Sequence, residues 1–430
     1  MRGEGATERD AFVPALALVA IGALVGRILF LYLSRDWVLR GDGFAYRIEA
    51  DRLLDGHIQG PLHPPAWTFV VAIPPALGFD KLIHQQVFTA LIGVATVVMT
   101  GIAGRYVFGR RVGLIAAALV AVYPSVWIYE REVLSEPLTM LVVATAIWLV
   151  YRFRDQPSLV GAVVLGAMVG LMALVRSELL FVSLAVVTPV ILSRAEISWS
   201  RRVGWLALAG LTAVAAITPW AAFNSTRYER PVPLSSGLGP AMASGNCPPT
   251  YDGDLVGYYN FGCVIVVVDR TSDDPSVADP QLRDRALTFM NANRSRAVQV
   301  SLIRVGRTFN LYRPFQQARL ETERGSALWL TRLAMAAYWV LAPLAIAGAV
   351  LTRRRRIPLY PLLAYPALAA IAVLPTIGAV RYRAAAEVPI ALLAAVALDH
   401  LARWWMRRRD PVAVAAPAPA PAVEPELAVL

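Results

Sequence analysis

Along most of this chain the apolar positions neither alternate nor form a stripe; they run on in long blocks parted by short polar turns. Ten such runs can be drawn, at approximately 12–33, 82–104, 110–128, 133–151, 158–175, 178–193, 203–223, 326–351, 357–375 and 384–403. A helix needs about 20 apolar residues to cross a hydrocarbon core of roughly 30 Å, so each block predicts a bilayer-spanning helix. Several turns are so short that neighbouring helices must form antiparallel hairpins. The predicted fold class is an all-α polytopic membrane protein, a bundle of about ten transmembrane helices with interfacial helices on its outer face. The apolar segment Trp67 to Leu77 is too short to span and ends in prolines, so it reads as a re-entrant or interfacial helix.

Composition supports a bilayer and removes the obvious soluble classes. The chain is 57% hydrophobic and 17% charged, where soluble domains run near a quarter charged. The formal charge of +11 comes almost wholly from arginine, since Lys81 is the sole lysine, and the arginines sit in loops rather than over one face. That distribution speaks against nucleic acid as a partner and for the bilayer. Arg105, Arg110 and Arg111; Arg152 and Arg154; Arg194, Arg201 and Arg202; Arg353 to Arg356; and Arg403, Arg407, Arg408 and Arg409 all fall on one side of the ten-helix count. Short positive loops stay cytoplasmic, which predicts a multi-pass protein with both termini inside; abundant arginine and alanine with a single lysine suggest a high-GC bacterial genome, and so the plasma (inner) membrane. Residues 34–81, 129–132, 176–177, 224–325 and 376–383 then face outward.

Four regions follow: a transmembrane module at 1–223, a long outer segment at 224–325, C-terminal transmembrane helices at 326–410, and an Ala/Pro-rich tail at 411–430 that reads as disordered and cytoplasmic. Both cysteines, Cys247 and Cys263, lie in the outer segment. A disulfide between them closes a loop of about 16 residues, while two unpaired thiols are the alternative. Two Cys without neighbouring His make no metal site. Between Pro280 and Tyr312, Leu282, Ala286, Phe289, Met290, Val298, Leu302, Val305 and Phe309 recur at helical spacing among arginines, predicting amphipathic helices laid along the interface.

The chemistry-bearing residues gather in the predicted outer loops. Asp42 stands at the start of a short helix running through Tyr46 toward Gly56, where it reads either as an N-cap or as a functional carboxylate. Glu130, Arg131, Glu132 and Glu136 crowd the mouth of a helix; Glu130 and Arg131 read as a solvated turn, Glu132 and Glu136 as functional candidates. Arg176 and Glu178 form either an internal clasp or part of the site. Arg381 and Arg383 break the arginine pattern at the outer end of a span, with no acid nearby before Glu387, and are expected to clamp a phosphate. His63, before Pro64 and Pro65, is either a second phosphate donor or a turn residue.

A first transmembrane helix, an Asp opening a juxtamembrane helix in the first outer loop, then Leu62-His63-Pro64-Pro65 leading into Trp67, resembles the GT-C superfamily of polyprenyl-phosphate-sugar glycosyltransferases. Within it the pattern is similar to the branch holding protein O-mannosyltransferases and the lipid A aminoarabinose transferase. The resemblance covers roughly 34–180 and returns at Arg381-Tyr382-Arg383 with Pro389. It implies a GT-C-like bundle in which Asp42 is the catalytic base, with Glu136 orienting the acceptor or supporting Asp42. It further implies an inverting enzyme taking sugar from a polyprenyl-phosphate donor to a glycan, lipid or protein acceptor, with an extracytoplasmic active site and no required metal or cofactor. The family's Asp is usually followed by an acidic or bulky residue, whereas Gly43 follows here. Readings from other classes are a flippase of lipid-linked glycans, which calls for midplane charges and repeats, and a non-catalytic envelope scaffold.

Overall fold

The computed structural model describes residues 4–58, 62–265 and 274–409. The predicted tail at 411–430 lies outside the described residues. All regular structure among the described residues is helical.

Helix α1 (Glu4–Leu33) leads to α2 (Asp42–Leu54) and two short helices, α3 (Ala66–Val71) and α4 (Ile73–Ala76), which replace the single interfacial helix expected there. Then come α5 (Leu82–Phe108), α6 (Arg110–Val122), α7 (Pro124–Arg131), α8 (Glu136–Asp155) and α9 (Leu159–Val175). A 3₁₀ turn, a π turn and α10 (Thr188–Leu192) precede α11 (Trp199–Ser225). The outer segment holds α12 (Leu238–Gly245), α13 (Pro248–Tyr251), α14 (Gly262–Ile265), α15 (Pro275–Ala292), α16 (Arg294–Thr308) and α17 (Pro314–Leu320). The chain ends in α18 (Leu328–Arg354), α19 (Tyr360–Val373) and α20 (Ala384–Arg409).

Each of the ten apolar runs is helical, but among the described residues six helices have the length and apolarity to cross a membrane, with the bent pair α6 and α7 a seventh. The count of about ten therefore differs from what length supports. α19 has 14 residues, about 21 Å at 1.5 Å per residue. The run after α9 breaks into 3₁₀, π and α turns next to Pro189, which lacks an N–H and so cannot close the regular ladder. Pro124 does the same between α6 and α7: Tyr123 before it is extended and the axis turns by 51°.

The core gathers on α20. Its stretch Ala384 to Ala397 is almost wholly buried against α18, α6, α8 and α19. Alanine and glycine allow this close approach. A Cβ at Gly348 of α18 meets the Leu393 carbonyl oxygen at 1.8 Å, so only glycine fits where the two backbones touch. By contrast α11 packs on α9 with most of its surface outward.

The outer segment is stapled to the bundle. Cys247 and Cys263 form a disulfide. Arg304 is fully buried and donates to Leu374 O (2.7 Å), Gly245 O (2.5 Å) and Asn246 Oδ1 (2.8 Å), tying α16 and α12 to the end of α19. Burial pushes its pKa down to about 10, which leaves it charged at neutral pH. Within α16, Ala297, Val300, Arg304 and Arg307 turn inward, while Val298 and Leu302 are exposed. Neutral carbonyls accept hydrogen bonds from both arginines.

Candidate active site

The arginine-rich ends of the long helices lie at one end of the bundle. At the other, the chain returns repeatedly to one spot: the start of α2, the start of α8, the end of α9 and the turn entering α20.

Asp42 is the first residue of α2, but the N-cap is Gly41 and no side-chain cap bond forms. The capping explanation of Asp42 therefore fails. Its carboxylate instead pairs with the Arg381 guanidinium, and His63 Nε2 stands 3.9 Å away. Burial pushes the Asp42 carboxyl up, but Arg381, with His63 and Arg324 beyond it, outweighs that and holds it well below the usual carboxylate range. It is ionised at neutral pH and remains one-quarter exposed.

Arg381 sits in a 3₁₀ turn, Val380–Arg383, and reaches across to α8: its Nε is 3.8 Å from Glu136 Oε1. Glu136 also takes Arg176 Nη1 at 3.1 Å, and Arg176 Nε bonds Glu178 at 2.6 Å. Tyr382 lies beside both guanidiniums, 5.6 Å from Arg381 and 5.1 Å from Arg176. Three carboxylates and two arginines thus share one partly closed volume. The Tyr46 ring is 4.7 Å from that of His63. Burial and the Asp42 charge raise its hydroxyl above its ordinary range, so it stays protonated at neutral pH.

Two of the expected residues lie elsewhere. Arg383 is fully buried, bonded to Glu387 (2.8 Å) and to Thr308 O (2.8 Å), and stacked on Tyr338. Its neighbours come from α16, α18 and α20, so it is not brought to Asp42. Glu132 lies beneath the cluster, accepting from Ser326 Oγ (2.5 Å) and Arg324 Nε (3.0 Å). Arg324 also pairs with Glu321, whose Oε1 accepts the Val380 N–H at 3.2 Å. This buried chain fixes the turn that carries Arg381. Gly43 packs against the same place from the other side: a Cβ there meets the Glu132 carbonyl oxygen at 1.9 Å. The departure at Gly43 is what lets α2 close on the turn after α7.

The solvated reading of Glu130 and Arg131 is overturned. Glu130 pairs with Arg27 of α1 at 2.8 Å, both all but fully buried. Arg131 donates to the backbone carbonyls of Ser34 and Trp37. Sequence reasoning missed Arg27, Glu49, Arg324 and Glu321. Glu49 carried a usable signal: Asp42, Tyr46 and Glu49 recur at i, i+4 and i+7, one face of a helix. Arg324 and Glu321 carried none for the site: their pairing at i, i+3 reads as an ordinary local contact, and their other partners, Glu132 and Val380, are distant in sequence. Among the described residues no three of His, Cys, Asp and Glu come together as a metal-holding group.

An ionised carboxylate thus faces an arginine at one end of the helical bundle, with further acids and arginines around it. Residues 62–223 match the sequence model of the family described as dolichyl-phosphate-mannose-protein mannosyltransferase. No curated protein matches. In fold the chain is similar to the Archaeoglobus fulgidus oligosaccharyltransferase in its apo form (TM-score 0.53, 16% identity), covering 93% of this chain and 52% of that one. It is similar also to archaeal AglB from the same organism with an inhibitory peptide and a dolichol-phosphate (TM-score 0.55, 14% identity, 96% and 52%). ArnT from Cupriavidus metallidurans bound to undecaprenyl phosphate aligns at TM-score 0.40, with 15% identity over 94% and 80%. The chain spans about half the length of the archaeal structures it matches. It resembles the GT-C superfamily of glycosyltransferases, as its first outer loop implied.

Proposed function

We propose that this protein is an inverting glycosyltransferase that moves a sugar from a polyprenyl-phosphate donor to a hydroxyl-bearing cell-envelope acceptor on the extracytoplasmic face. The observation that carries the reading is the pairing of Asp42 with Arg381 at the end of the bundle opposite its arginine-rich turns. The side of the membrane follows from those turns staying cytoplasmic.

The chemistry uses both partners. The donor's phosphate binds at Arg381, with Arg176 adding positive charge beside Glu136. As phosphate draws on Arg381, the Asp42 carboxylate loses part of its counter-charge and becomes a better proton acceptor. The acceptor oxygen attacks the anomeric carbon from the face opposite the phosphate. The bond from that carbon to the phosphate oxygen breaks, and its electron pair leaves with the polyprenyl phosphate. The acceptor proton passes to Asp42. Positive charge developing on the sugar faces Asp42, which favours an oxocarbenium-like transition state. One displacement inverts the anomeric centre. Arg383 takes no part in this proposal, because it is fully buried and bonded to Glu387 and Thr308 O rather than beside Asp42.

The test is transfer from a panel of radiolabelled polyprenyl-phosphate sugars to membrane acceptors, with the anomeric configuration of the product read by NMR. One donor should give a product inverted relative to the donor. Retention of configuration, or no donor consumed, contradicts the proposal.

A further inference from the structure

Next to His63, which neighbours Asp42, lies a half-open cleft lined by Glu49, His63, Thr68, Phe69 and Trp220 among others. The proposed reaction uses neither Glu49 nor Trp220. His63 links the two places. Its Nε2 is 3.9 Å from Asp42 and its Nδ1 is 3.9 Å from Glu49, beyond hydrogen-bond range in both directions. His63 therefore stands between Asp42 and Glu49, within 4 Å of each.

The walls define the chemistry of an occupant. One carboxylate and no arginine or lysine line the cavity among the described residues, so it repels phosphate and favours hydroxyl donors. Glu49 is oriented by Thr68 Oγ1 at 3.1 Å. Opposite is an aromatic corner, where Phe69 and Trp220 meet edge to face at 6.3 Å. Trp220 cannot swing freely, because its Nε1 donates to Leu234 O at 2.8 Å in the outer segment. A rigid indole beside a carboxylate matches a sugar ring, whose C–H face stacks on the aromatic while its hydroxyls donate to the acid.

We infer that this cavity is a carbohydrate subsite that seats the hydroxyl-bearing ring of the acceptor, stacked on Trp220 and bonded to Glu49, with its reactive oxygen turned to Asp42. The assignment to the acceptor rests on the transfer reaction proposed above, whereas the affinity of the cavity for a sugar ring does not.

The test uses the full chain in lipid nanodiscs with octyl β-D-mannopyranoside as the probe. Saturation-transfer NMR should show the probe's ring protons in contact with the protein. Trp220→Ala and Glu49→Gln should each weaken binding at least tenfold, while Trp220→Phe keeps most of it. In transfer assays with the same probe as acceptor, both weakening variants should raise the acceptor KM at least tenfold more than the donor KM. Equal binding by all variants overturns the subsite. A rise confined to the donor KM overturns the acceptor assignment and seats the donor's sugar in the cavity. Binding that depends on Trp220 and Glu49 without any transfer by the native protein upholds a sugar-ring site and overturns the transferase reading instead.

Discussion

At the scale of single residues, the charge state of Asp42 is set by its neighbours. Burial favours the neutral acid, yet Arg381 reverses that and depresses its pKa below the usual carboxylate range. A depressed carboxylate adds stability that is complete above its unfolded pKa and is lost only as pH falls through the lower folded value. The native transfer rate should therefore show no acid limb from Asp42 between about pH 4 and 6. In Arg381→Gln only His63 and Arg324 still oppose the burial effect, so the Asp42 pKa rises and an acid limb should move toward that window, visible in a pH–rate profile of kcat/KM. A profile of unchanged shape contradicts the assigned pairing. Asp42, Tyr46, Glu136, Arg176 and Arg381 were legible as a set because charged residues at helix ends in a bilayer are rare enough to stand out. Which arginine meets which acid was not legible: Arg381 and Arg383 look alike in sequence, and only packing places Glu387 under one and Asp42 beside the other.

Between elements, two contacts hold the site in shape. Gly43 lies against the Glu132 carbonyl, and Gly43→Ala should displace the start of α2. Transfer should fall tenfold or more while helical content by circular dichroism stays unchanged, and full activity in that variant removes the close approach as a requirement. Deeper in the bundle, Arg27 of α1 and Glu130 of α7 form a buried pair. Removing one member leaves the other charge without a partner, at a cost of about 3–5 kcal/mol. Arg27→Met should lower the thermal midpoint in detergent, and the double variant Arg27→Met with Glu130→Gln should recover part of the loss. Helix positions were readable from hydropathy, since a bilayer demands long apolar runs. Glu130 was misread as solvated because its counter-ion is 103 positions away, beyond any local pattern. The inward turn of two arginines in α16 was not readable for a related reason: they bond carbonyls, which a hydrophobic stripe cannot show.

Across the whole molecule, the bundle and the outer segment act together. The disulfide Cys247–Cys263, with a sequence separation of 16, contributes about 3 kcal/mol in the chain-entropy model. Replacing both by serine should lower the thermal midpoint of the membrane-embedded protein. Because α12 and α16 are bonded to the end of α19, the loss should spread to the turn carrying Arg381 and weaken donor binding. Unchanged stability and donor affinity would separate the outer segment from the site. The all-helical membrane architecture and the disulfide were both readable from apolar runs and paired cysteines. The cavity beside Trp220 was not, because it forms only when α2, α3 and α11 converge.

The central claim is that Asp42 takes the acceptor's proton. It is tested most directly by single-turnover transfer from a polyprenyl-phosphate sugar, comparing native protein with Asp42→Asn at equal folded amount in nanodiscs. Loss of a catalytic base costs about 10²- to 10⁴-fold, so the account predicts a fall of that size with donor affinity changed by much less. A rate within about threefold of native, with donor bound normally, contradicts it and leaves the Asp42–Arg381 pair a structural contact.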